Sequence, residues 1–286
     1  VHRGRIVRVF ETLDEPCSAL LDKDMEWFLL QPTIEPVMDS IDEIKKLLPP
    51  LPHVDDFIWI SKPDGLLTLP GKSEPDSLAT RVNAKLLCHS KVMENTTPSN
   101  HKNKDSGSGG TWIPRPCHRL DQDTSGIVVM AKTRAAYTAL SKQFEDRLVT
   151  KQYVALVHGH VQPPTGKIDA PIGQKLTQQG YKAWTTDPDA EKPRNATTLY
   201  QVSKYYNSPN VNNNYTRILL QPQTGRGHQL RLHMKLLGHS IVGDTLHGAL
   251  DKECRRLCLH AEYLEIWVTN SQNEICRAKA WCLPPF

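Results

Sequence analysis

The chain has 286 residues and a mass of 32.3 kDa, and its 38% hydrophobic and 23% charged residues are the balance of an ordinary globular protein with a sizeable core. Its longest apolar runs, about five residues, fall far short of the roughly 18 that cross a bilayer, so no membrane role and no secretory signal are expected. A net charge of +4 and a pI of 8.6 are too mild to name a partner on their own.

An intracellular location is expected, in the cytoplasm or, since the sequence opens on Val1 and a targeting segment could have been removed, in an organelle such as the mitochondrion or plastid. The seven cysteines are an odd, scattered set in a chain long enough to fold without a disulfide framework, so reduced thiols are expected. Cys254, Cys258 and His260 lie close in sequence, but there is no CxxC pair, and no metal is expected.

Residues 1–50 read as an N-terminal extension that ends in the amphipathic stretch SIDEIKKLL and the breaker PPLP. A main domain is expected over 51–286. It begins with the β-prone run FIWI (57–60), followed by a turn at Pro63-Asp64-Gly65. Residues 89–116 are polar and rich in Gly, Ser, Asn and Pro, and read as a flexible surface insertion. Next come HRLDQDTSG (118–126) and an apolar strand, IVVMA. Thr133 is placed to cap a helix whose inner face carries Ala136, Leu140, Phe144 and Leu148.

The pattern then turns to β, with YVALV (153–157), TLYQV, a polar loop NSPNVNNN, and TRILLQP. HQLRLHMKLLGH predicts a short helix with Leu230, Met234 and Leu237 inward, Arg231 and Lys235 on another face, and Gly238 at its end. LEIWV (264–268) restores strand alternation. Strands outnumber helices and are mostly joined by hairpin-like connections, so the class is α+β with a central mixed, largely antiparallel sheet.

Charge is distributed less evenly than its total implies. From Arg217 through Gly243 there is no acidic residue, yet Arg217, Arg226, Arg231 and Lys235 occur there with His228, His233 and His239. Such a stretch suits a polyanion or, equally, a solvated basic face. His228 and His233 fall about 140° apart around a helix, which does not make a metal pair. Taken alone, Asp121 reads as a turn-capping residue that pairs with Arg119 at the surface, a contact of little energetic weight.

Several ordered blocks change that reading. HRLDQDTSGIVVMAKT, preceded by SKPDGLLTLPG and followed by KQYVALVHGHV (151–161), TGRGHQLRLHMKLLGHSIVGD (224–244) and RLCLHAEYL (256–264), resembles the RluA-type pseudouridine synthases over roughly residues 51–286. The resemblance implies the pseudouridine synthase fold, with a catalytic cleft and flanking helices. It also implies isomerisation of uridine in structured RNA, rRNA or tRNA, without metal or cofactor. Breaking the N1–C1′ bond, turning the base and rejoining it through C5 would complete the reaction.

By the same resemblance Asp121 is the essential carboxylate, acting either on the sugar carbon or on a sugar proton, and Arg231 is its partner. Tyr153 is the active-site tyrosine, with a half-buried strand tyrosine as its plain alternative. Arg119, Arg226 and Lys235 are expected RNA contacts, and His118 is a secondary one whose alternative is a structural hydrogen bond. The sequence departs from the family in the 89–116 insertion and in His247-Gly248, where an aromatic residue precedes the glycine. A monomer is expected. The rival readings are an inactive RNA-binding protein of the same fold and a histidine-based metal hydrolase.

Overall fold

The computed structural model describes residues 50–94, 112–207, 214–248, 254 and 256–286, together with the short strands β1 (Ile6–Val7), β2 (Leu29–Leu30) and β3 (Thr33–Pro36). The stretch SIDEIKKLL, most of the 89–116 insertion and the centre of NSPNVNNN lie outside the described residues. The chain divides into two compact units. One comprises 1–122, 126–149 and 264–282, and the other 123–125, 150–263 and 283–286.

In the first unit, β4 (Phe57–Lys62) pairs antiparallel with β6 (Ser125–Ala131), and Phe57 lies opposite Ala131. The short β5 (Arg115–Pro116) also pairs with β6. Every residue of β6 is buried, which is why IVVMA reads as an unbroken apolar run instead of alternating. The last six residues of β14 (Leu259–Thr269), with β15 (Ile275–Trp281), supply Leu264, Ile266, Val268 and Ala278 to a core that also holds Trp59, Val129 and Leu140.

Among the described residues two α-helices belong to this unit, α1 (Leu78–Glu94) and α2 (Arg134–Glu145). The expected insertion is therefore helical through Glu94, and its last two residues are β5. The Thr133 hydroxyl accepts from the Ala136 amide at the start of α2, as its sequence position implies. Ala136 and Leu140 face the core, and the fully buried Leu140 contributes about 2 kcal/mol. Leu148, expected on the same helical face, lies beyond the helix. Arg147 takes φ 61°, and the Leu148 amide bonds back to the Gln143 carbonyl at 2.9 Å, closing a Schellman motif.

The second unit is built on β7 (Thr150–His158), β13 (Asn214–Pro222), β12 (Thr197–Asn207) and β8 (Thr165–Asp169), paired antiparallel in that order, with the first residues of β14 on the other side of β7. A separate three-stranded sheet, ordered β10 (Lys182–Thr185), β9 (Ile172–Leu176) and β11 (Glu191–Arg194), lies in the same unit. The helix α3 (Gln229–Leu236) buries Leu230 and Met234 in a core with Ala155, Ile218 and Leu220. Gly238 ends it at φ +85°, a conformation open to glycine, with the His239 amide on the Met234 carbonyl at 2.9 Å. The architecture is α+β with a largely antiparallel sheet, as the sequence implies.

Candidate active site

The HRLDQD segment is held from both sides by main-chain contacts. Lys62 shares a strand face with Ile58 and Ile60, opposite the core-facing Phe57 and Trp59, and is fully buried, so its ammonium needs close acceptors. It donates to the carbonyls of Pro63, Leu66 and Gln122 at 2.8, 2.7 and 2.8 Å. Thr68 Oγ1 donates to the Leu120 carbonyl at 2.9 Å and accepts from the Leu120 amide at 3.1 Å. These contacts fix the residues directly before and after Asp121, whose own side chain is half-exposed.

His118 and Arg119 lie just upstream in the same unit. His118 Nε2 accepts from the Val129 amide at 3.1 Å, and its ring stacks on Phe144 with centroids 4.5 Å apart. This ring therefore secures the segment to β6, the structural role weighed for it in sequence. Arg119 is exposed.

At the other end of the segment Ser125 Oγ is within 2.8 Å of both His260 Nδ1 and Arg256 Nη2. His260 is thus engaged with a hydroxyl. Cys254 Sγ lies 3.5 Å from Cys258 Sγ, and among the described residues no three His, Cys, Asp or Glu are grouped so that they could hold a metal ion.

In the second unit Tyr153 is half-buried on β7, packed against the core below α3, opposite Leu220 on β13 and Ala261 on β14. Arg231, in the first turn of α3, is 3% exposed and is gripped by a residue that the sequence reading passed over. Its Nε and Nη2 donate to the two carboxylate oxygens of Asp244 at 3.0 and 2.6 Å. Its Nη1 lies 3.8 Å from the exposed carboxylate of Asp123.

Asp244 is 1% exposed and also accepts from the amides of Leu246 and His247 at 3.1 and 3.0 Å. Burial works to raise its pKa. The Arg231 hydrogen bonds and charge, with the His247 amide, outweigh that and hold the carboxyl below its usual range. Gly243 immediately before it has φ +75°, and a side chain there would collide with the Arg256 carbonyl. The signal for Asp244 was present: it is the first acid after the acid-free stretch that contains Arg231.

His247, where the family places an aromatic ring, is buried, and its Nε2 lies 2.8 Å from Nδ1 of His228, the residue at φ 55° that precedes α3. Burial, assisted by the charge of Arg231, pushes its pKa down to about 4. A histidine kept neutral when folded binds its proton more readily when unfolded. Stability therefore falls as the pH drops from about 6.5 to about 4, by on the order of 3 kcal/mol from this group. His247→Phe is expected to flatten that loss in melting temperature measured across this window. Parallel declines for parent and variant would refute the assignment.

Among the remaining expected contacts, Arg226 Nε donates to the Asn195 carbonyl at 3.2 Å, and Lys235 is exposed in the last turn of α3. The buried Gln229 was also missed in sequence. Its amide oxygen accepts from Thr224 Oγ1 and the Arg226 amide, while its nitrogen donates to the Thr197 carbonyl, so it fixes the GRG turn to β12.

Residues 56–236 match the family model described as RNA pseudouridylate synthase. The chain belongs to the RNA pseudouridylate synthase family. Over 221 residues this synthase is 36% identical to the dual-specificity RNA pseudouridine synthase RluA of Pasteurella multocida, a match that covers 74% of this chain and 84% of that protein. It is 35% identical to the RluA of Escherichia coli strain K12, covering 75% of this chain and 84% of that one.

Among solved structures it is similar to human RNA pseudouridylate synthase domain containing 1, with a TM-score of 0.58 and 26% identity, covering 82% of this chain and 83% of the other. The synthase is an isomerase that acts on uridine in RNA. The family match contains Asp121, Tyr153 and Arg231, whereas Asp244, His247, Arg256 and His260 lie beyond its end.

Proposed function

We propose that the protein converts uridine to pseudouridine in structured rRNA or tRNA with Asp121 as its catalytic carboxylate. The observation that carries this reading is the intact HRLDQDTSG motif inside the family match, its backbone fixed on both sides of Asp121 while the carboxylate itself stays half-exposed. A nucleophile or base must reach a ribose, so a rigid loop bearing an accessible oxygen pair suits the task.

The ring of Tyr153 stacks on the target uracil, and its hydroxyl is available for proton transfer. Arg231 serves Asp121 as a preorganised positive charge, its fork oriented by Asp244. Arg119, Arg226 and Lys235 contact phosphates, which positions the RNA without reading its sequence. The dual specificity in the names of the RluA relatives supports testing both RNA classes.

The experiment offers tRNA and rRNA transcripts labelled with tritium at uracil C5 and follows tritium release, with mapping of the modified position. Release is expected from at least one class and is expected to persist in excess EDTA, because the implied chemistry needs no metal. No release from either class would overturn the substrate assignment. Loss in EDTA that added zinc or magnesium restores, with the RNA fold unaffected, would overturn the metal-free mechanism.

A further inference from the structure

Alternation along β7, β13 and β12 gives the second unit's sheet two chemically different faces. Tyr153 pairs with Leu220, and this face continues through Ala155, Ile218, Val157 and Thr216, all buried. On the other face Tyr206, Tyr215 and His158 lie opposite one another across three strands, and Lys204 pairs with Arg217 in the next row. The register shift between Val202 and Lys204 in β12 sets this alignment.

Contacts between side chains agree with that assignment. The Lys204 ammonium sits 4.9 Å from the Tyr206 ring centre, His158 and Tyr215 have ring centres 5.6 Å apart, and Arg217 Nη2 lies 3.6 Å from Glu262 Oε1. Tyr206 is 38% exposed, and Lys204 is exposed beside it.

We propose that this face is a second RNA-binding surface, one that takes an unpaired stretch of the substrate outside the target nucleotide. A sheet face that only meets water is usually covered by small polar and charged residues. Here the exposed ring of Tyr206 and the exposed Lys204 ammonium front a row about 10 Å wide completed by the part-buried rings of Tyr215 and His158, with Arg217 at its border, a combination that stacks bases and tracks a phosphate backbone without reading sequence. His158 lies five residues along β7 from Tyr153, about 17 Å away on the opposite face, so only an RNA that extends well beyond the target uridine can reach both. The inference rests on the pseudouridine synthase reading in taking RNA as the occupant.

The test compares the parent with Lys204→Ala, Tyr206→Ser and Tyr206→Trp, each checked for an unchanged melting temperature. Two substrates are used: a long RNA, and a short stem-loop limited to the target uridine and its immediate flanks. For the long RNA, Lys204→Ala and Tyr206→Ser are expected to raise KM and the Kd from filter binding about fivefold to thirtyfold with kcat unchanged. Tyr206→Trp keeps a ring and should bind as the parent does. Lys204→Ala should also reduce the salt dependence of binding by about one counterion.

The short stem-loop should show no difference among the proteins. Long-RNA affinities within about twofold of the parent for both ring and charge variants would overturn the proposal, including where the variants lose a protein partner instead. If the parent turns over no RNA, the catalytic reading fails by itself. Filter binding of the long RNA then still decides the surface.

Discussion

Asp121→Asn is expected to abolish pseudouridine formation while leaving RNA affinity nearly intact. The amide keeps the shape of the side chain but neither attacks C1′ nor accepts a sugar proton at a useful rate, so single-turnover tritium release should fall by at least a thousandfold, roughly 4 kcal/mol in barrier. Affinity should hold because an acid beside Arg119 contributes nothing attractive to a polyanion. Losing one negative charge near phosphates tightens binding, if anything, by a few tenths of a kcal/mol. A variant that releases tritium within about tenfold of the parent would show that the catalytic carboxylate lies elsewhere. A large loss in both rate and affinity would show that Asp121 builds the binding surface instead.

Arg231→Met is expected to cost far more rate at saturating RNA than Arg226→Met, and to destabilise the fold as well. The buried Asp244 carboxylate loses both of its guanidinium bonds, and breaking such a pair from one side typically costs about 3–5 kcal/mol. Stability and catalysis separate in the double variant Arg231→Met with Asp244→Leu. Removing both charges should recover much of the melting temperature, because no unpaired ion remains, but should not recover turnover. Recovery of turnover to within about tenfold of the parent would reduce Arg231 to a structural residue.

What could be read from the sequence was mostly local. Thr133 capping α2, Gly238 closing α3, and the inward Leu230 and Met234 each follow from a few neighbouring residues, so pattern and geometry agree. Leu148 shows where periodicity misleads. Its four-residue spacing continues the helical face, but the left-handed Arg147 has already ended the helix, and spacing carries no information about a cap.

The Arg231–Asp244 pair was hidden for a different reason. The charge pattern marks Asp244 as the first acid after the acid-free stretch, but the two residues meet across a turn whose path depends on Gly243 accommodating the Arg256 carbonyl, and that approach is not encoded in the pattern. The acid-free stretch 217–243 likewise looked more uniformly basic than it is. Arg231 is paired with the first acid beyond it, and Arg217 lies near Glu262 from another strand. The alternation that separates Tyr206, Tyr215 and Arg217 from the Tyr153 face depends on register, which single strands do not reveal.

Lys62 has a consequence for how this protein can vary over time. It holds the HRLDQD segment through main-chain oxygens, which every amino acid supplies, so the grip on Gln122 survives whatever side chain occupies that exposed position. Drift at position 122 leaves the HRLDQD loop where it is. Replacing Lys62 itself strands three carbonyls together, and no other residue of similar length brings three donors on a single atom. Tolerance to substitution is thus sharply uneven over a few ångströms: permissive where the backbone accepts, and closed at the one side chain that donates.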